Sequence, residues 1–142
     1  MIKQFRIDSI EAKRFIDPRS APQHIRIDNN SSILSVHSVD EKNVKVEFKF
    51  TVTYTGIGMI AIDGTLIYTG DAKKILEEWR KNRKLPDDIA REIHGTIINN
   101  CVIESVILAK EVSLPPPIPP PAQMLQQSAQ KSKEKGDVLG YA

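Results

Sequence analysis

From Val44 to Tyr54 every second residue of this chain is large and apolar: Val44, Val46, Phe48, Phe50, Val52 and Tyr54. Lys45, Glu47, Lys49, Thr51 and Thr53 fill the positions between them. Successive side chains of a strand point to opposite faces, so a strict period of two makes a strand with one apolar and one polar face. Thr55-Gly56-Ile57-Gly58 breaks the run where glycine supplies the backbone freedom of a turn. The alternation then resumes through Ile60, Ile62, Leu66 and Tyr68. The stretch 42–68 therefore predicts a long antiparallel hairpin with one face to bury. Whatever else the chain forms either extends that sheet or covers it.

Upstream, Phe5 and Ile7 share a strand face, while the odd step to Ile10 predicts a bulge or a change of face within a strand over 2–12. Asp17-Pro18 and Ala21-Pro22 mark a loop, because the residue before proline is pushed out of helical geometry. A short strand is expected around Ile25 and Ile27, then a turn at Asn29-Asn30-Ser31-Ser32, then a strand from Ile33 to Val39. Asp40 to Asn43 turns into the hairpin.

After Gly70 the apolar spacing lengthens to three and four. Asp71 is the expected N-cap of a short helix whose Ile75, Leu76 and Trp79 share a face. The basic run Arg80-Lys81-Asn82-Arg83-Lys84 follows, and Pro86 with Asp87 and Asp88 opens a second helix. In that helix Ile89, Ile93, Ile97 and Cys101 form one apolar stripe, and Ile98, Val102, Val106 and Ala109 form another beside it. Two stripes exceed what one sheet contact uses, so Ile97, Val102 and Val106 are candidates for a contact with a second copy of the chain. The expected organisation is a single α+β domain over 1–114, a polyproline segment over 115–121, and a short tail helix with a frayed end over 122–142. Six of the nine prolines lie in 115–121.

No constellation for catalysis emerges, and the chain is read as a non-enzyme with no cofactor. His24, His37 and His94 fall on three different elements without metal-ligand spacing. Cys101, the single cysteine, sits mid-helix among apolar neighbours and reads as a small buried hydrophobe. Gly56-Ile57-Gly58 joins strand to strand and presents no helix N-terminus to a phosphate. One cysteine, no apolar run of signal-peptide type in MIKQFRID, and no membrane-length apolar stretch together suggest a cytoplasmic protein. The net charge of +2 is too small to argue for nucleic acid on field strength alone.

The order of elements resembles that of the SecB family of export chaperones, in its shorter SecB-like form. Phe5-x-Ile7-x-x-Ile10-x-x-Lys13 followed by Ala21-Pro22 is similar to the family's first strand and loop. Gly58-Met59-Ile60-Ala61-Ile62-Asp63-Gly64 fits its last long strand, and Arg91-Glu92 and Leu114-Pro115-Pro116 fall where the family has an Arg-Glu pair and a proline-rich exit. The resemblance implies a four-stranded antiparallel sheet backed by a long helix, assembled as a dimer of dimers. It further implies an ATP-independent holdase that keeps unfolded polypeptide clients in apolar grooves. Residues expected to line such a groove are Phe15, Ile16, Ile33 and Leu34 from the connecting segments, and Ile118, Met124 and Leu125 from a lid-like tail. Family members are acidic and use that charge to dock on the motor SecA. With an isoelectric point near 8.7, this chain departs from the pattern, so client holding is carried over and SecA docking is not. The competing reading is a non-enzymatic interaction module that binds an anionic partner such as RNA through the 80–84 turn. The absence of aromatic residues within that run counts against RNA.

Overall fold

The alternation around Phe48 builds the inner face of a sheet. Val44, Val46, Phe48, Phe50, Val52 and Tyr54 have no exposed surface, while the residues between them are partly or fully exposed. The computed structural model describes residues 1–17 and 25–117. Its strands are β1 (Ile2–Arg14), β2 (Ile27–Ser38), β3 (Asn43–Tyr54) and β4 (Gly58–Thr69), and its helices are α1 (Ala72–Asn82) and α2 (Asp87–Glu111). The strands pair antiparallel in the order β1-β4-β3-β2. Both helices pack on the face that carries Phe48, and α2 touches all four strands. The chain is therefore α+β, a four-stranded antiparallel sheet backed by a long C-terminal helix.

The odd step in β1 is a bulge: the register with β4 shifts between Ile7 and Ser9. The expected turn at Asn29–Ser32 is a correction. These four residues lie inside β2, opposite Val52, Thr51, Phe50 and Lys49. Pairing with β3 overrides their turn propensity, and their side chains find other partners. The Asn30 amide donates to the Ser32 hydroxyl at 3.0 Å, and the Ser31 hydroxyl lies 2.7 Å from His94 Nδ1.

α1 begins where its cap predicts, with the Asp71 carboxylate accepting from the Lys74 amide at 3.2 Å. It ends at Arg83, whose φ of 53° is left-handed and whose N–H bonds back to the Trp79 carbonyl. In α2 the first stripe is the buried one and runs on beyond its expected length, through Ile93, Ile97, Cys101, Ser105 and Ala109. The helix closes in a Schellman arrangement: Leu114 N–H bonds to Ala109 O and Ser113 N–H to Lys110 O. Ser113, at φ 57°, occupies the position glycine usually takes. Arg14 donates to the Ser113 carbonyl, which ties the end of β1 to the negative end of the helix.

The proline exit crosses the sheet. Leu114 packs by Gly58 of β4, the Tyr54 hydroxyl of β3 donates to the Pro115 carbonyl at 2.6 Å, and the Asn29 amide of β2 reaches the Pro117 carbonyl at 3.5 Å. Burial pushes the Tyr54 hydroxyl up to about 12, so it stays a donor. His24 and the expected lid residues Ile118, Met124 and Leu125 lie outside the described residues.

Candidate functional site

β2 is an edge strand, so alternate residues along its free side present backbone N–H and C=O groups that no fifth strand takes up among the described residues. Its register with β3 shifts between Ile33 and Ser35. The extra residue at that bulge is Leu34, which turns out of the ladder and is 53% exposed. Facing it is α1. Between the last turns of α1 and the second half of β2 runs a shallow groove of about 370 Å³, floored by Leu34 and Val36 and walled by Leu76, Trp79, Arg80 and Arg83. The Arg83 guanidinium lies 5.9 Å from the centroid of the Trp79 ring.

The residues singled out from the sequence do not all meet here. Leu34 lines the groove. Ile33, opposite Phe48, is half-buried against the core beneath it. Phe15 and Ile16 sit at the other end of the sheet, where the Phe15 amide bonds to the Ile57 carbonyl at 2.7 Å in the β3–β4 turn. Phe15 is 57% exposed there, while Ile16 packs on the core. Ile97 is enclosed by its own chain at 0% exposure, which makes it a core residue rather than one available to a second copy. Val102 and Val106 are half-buried, and the apolar residues that face outward on α2 are Ile103 and Ile107, 64% and 54% exposed.

Sequence reasoning missed the groove's helical wall. Trp79 is a core residue at 9% exposure, as its place in the α1 stripe suggests, but only the helix's placement against β2 brings its remaining edge together with Arg80 and Arg83 on one surface. The available signal was Ile33-Leu34, two adjacent large apolar residues in a strand that can bury only one face.

The remaining chemistry is structural. Burial lowers the basicity of His94, whose Nδ1 faces the buried Ser31 hydroxyl. Burial, with Glu104 nearby, pushes the Cys101 thiol up to about 12, far from a reactive thiolate. Among the described residues no group of three or more His, Cys, Asp or Glu side chains is placed to hold a metal ion, and no helix is long and apolar enough to cross a membrane.

No protein-family model matches the chain, and no curated protein matches it in sequence. A solved structure does match in fold. The SecB-like chaperone Rv1957 of Mycobacterium tuberculosis, in complex with a ChAD peptide from the Rv1956 HigA1 antitoxin, superposes with a TM-score of 0.58 at 12% identity. The match covers 82% of this chain and 84% of that one. The fold is SecB-like. At that identity the likeness speaks for architecture, and within this SecB-like architecture the groove between β2 and α1 is the site at which an apolar floor, an aromatic wall and an open strand edge coincide.

Proposed function

We infer that the protein holds unfolded or extended polypeptide segments, without nucleotide, in the groove between β2 and α1. The observation that carries this reading is the open edge of β2 running beside an apolar floor. An extended chain can add to such an edge through its backbone, whatever its sequence, while the bulged Leu34 and Trp79 take up its apolar side chains. That the SecB-like structure of the same fold was solved with a peptide bound supports it. Protein export is the process such holding would serve, in a cytoplasmic location. SecA docking is not part of the proposal, because the chain's net charge is +2 and the outward face of its sheet neutralises itself in pairs such as Arg6–Asp8 and Lys13–Glu11.

The decisive assay is aggregation of an unfolded reporter. Full-length protein at a few equivalents is expected to suppress light scattering several-fold with no nucleotide added, and Leu34→Asp is expected to abolish most of that effect while the fold survives. An unchanged aggregation rate with the full chain would sink the reading.

We place a second copy of the chain on the outer face of α2, and a dimer of dimers as the assembly. Between Thr96 and Ala109 the exposed residues of this face are Asn99, Asn100, Ile103 and Ile107, all uncharged, with Glu104 half-buried beside them. The tail is assigned the part of a lid. Ending the chain after Pro117 keeps the Tyr54–Pro115 bond and the buried Leu114, so sheet and helix are expected to stay intact while client holding weakens. A truncated chain that protects the reporter as well as the full one would remove the lid from the proposal.

A further inference from the structure

The groove is lined by two arginines and by no carboxylate, while several cations of the sheet are paired. Arg6, Lys13, Arg26 and Lys45 each lie 2.6 to 3.9 Å from a carboxylate two residues away, on Asp8, Glu11, Asp28 and Glu47. Arg80 and Arg83, like Lys3 and Lys49 of the sheet, have no such partner among the described residues; what sets the two arginines apart is that they wall an apolar groove. The nearby acids of α1 do not supply one: Glu77 is outside the lining, and Glu78 accepts from the Asn82 amide at 3.0 Å. Arg80 in the last turn of α1 and Arg83 at its left-handed cap both line the groove, with Arg83 held over the face of Trp79. The groove therefore offers an apolar floor and two uncompensated cations, next to unpaired strand backbone.

On the client-holding reading above, we propose that this groove selects extended segments carrying an acidic side chain two residues from a large apolar one. Positions i and i+2 of an added strand point to the same face, so a segment pairing with the edge of β2 directs both toward α1. The apolar side chain rests on Leu34, Leu76 and Trp79. The carboxylate meets Arg80 and Arg83, whose planar forks match its two oxygens. Side chains at i+1 face away and are read by nothing. The selection is thus for a spacing as well as a charge.

Fluorescence anisotropy with three labelled peptides of equal length tests this. One alternates Leu and Glu on a single strand face with Ser on the other, a second replaces each Glu with Gln, and the third keeps the first composition but puts Leu and Glu on opposite faces. The first peptide is expected to bind the full-length protein about tenfold tighter than either twin at low salt, an advantage that shrinks as salt rises to about 0.5 M. Arg80→Gln with Arg83→Gln, both exposed and without an ion pair among the described residues, is expected to remove the first peptide's advantage, so that it and the Gln twin bind the double variant equally. Equal binding of the three peptides, or an advantage that persists in the double variant, overturns the selection. If the unfolded reporter is still protected in that case, holding stands and only the preference falls. If no peptide binds and the reporter aggregates, both fall. Displacement of the first peptide by single-stranded oligouridylate at equal charge concentration would make the basic wall a nucleic-acid site and overturn the proposal as well.

Discussion

Ile97→Asp is expected to yield no folded protein, whereas Ile103→Asp, six residues along the same helix, is expected to fold normally and change only the state of assembly. Ile97 has 0% exposure and belongs to the core that α2 forms with the sheet. Removing its side chain alone costs roughly 2–5 kcal/mol, and the carboxylate adds the cost of burying a charge with no partner. A domain whose total stability is about 5–15 kcal/mol does not survive such a loss intact. Ile103 is 64% exposed, and a carboxylate there stays in water in the monomer. Circular dichroism and urea titration read the first outcome, and sedimentation velocity reads the second. A soluble, cooperatively folding Ile97→Asp chain would contradict the packing of α2 described above. An Ile103→Asp chain that sediments like the wild type would move the proposed contact between copies to another face.

Gly64→Ala is expected to destabilise the fold by about 3 kcal/mol, at the upper end of what forcing extra atoms into a packed core costs. A Cβ at Gly64 would lie 2.3 Å from the Phe48 ring and 2.4 Å from the Arg6 carbonyl. Neither neighbour can yield easily. The ring is fully buried and stacked on Phe5 at a centroid distance of 5.0 Å, and the carbonyl belongs to the β1–β4 ladder. Gly58→Ala meets the Lys13 carbonyl at 2.4 Å but otherwise only the Leu114 methyls at 3.1 Å, so it is expected to cost less. Gly95→Ala, with nothing within 4 Å, is expected to stabilise α2 by about 0.5–1 kcal/mol through helix propensity. Urea midpoints should rank the four proteins Gly95→Ala, wild type, Gly58→Ala, Gly64→Ala. A Gly64→Ala midpoint equal to wild type would show that β1 does not approach β4 as closely as described.

Much of this architecture was legible along the chain, for identifiable reasons. The β3 face needed only the period of two, because Val44 to Tyr54 alternate without an exception. The start of α1 needed only Asp71, a strong cap ahead of an apolar stripe. The Gly58 and Gly64 spacing, met first as part of a family pattern, has a cause in the close pass of β1. Other features depend on tertiary contacts that local composition does not encode. Asn29 to Ser32 reads as a turn until β3 lies beside it. The two stripes of α2 say that the helix is apolar over most of its surface but not which line meets the sheet, so Ile97 went to the wrong side and Ile103 and Ile107 went unnoticed. The groove was the least legible element. Its floor comes from a bulge in β2 and its wall from the end of α1, and no periodicity within either segment reports that they meet.

The strand order has a kinetic consequence. β2, β3 and β4 follow one another through two tight turns, at Val39–Lys42 and Thr55–Ile57, so their pairing closes only short loops. β1 is different. Its partner is β4, and the bond from the Met1 ammonium to the Thr69 carbonyl joins residues 68 apart in sequence. Closing a long loop costs entropy before any contact rewards it, so β1 is expected to join after the meander has formed. Until it does, the edge of β4, with Gly58 and Gly64 offering no side chain to shield the backbone, is the part of the nascent fold most open to pairing with another chain. A protein that we assign to keeping other chains from such encounters passes through the same exposure each time it folds.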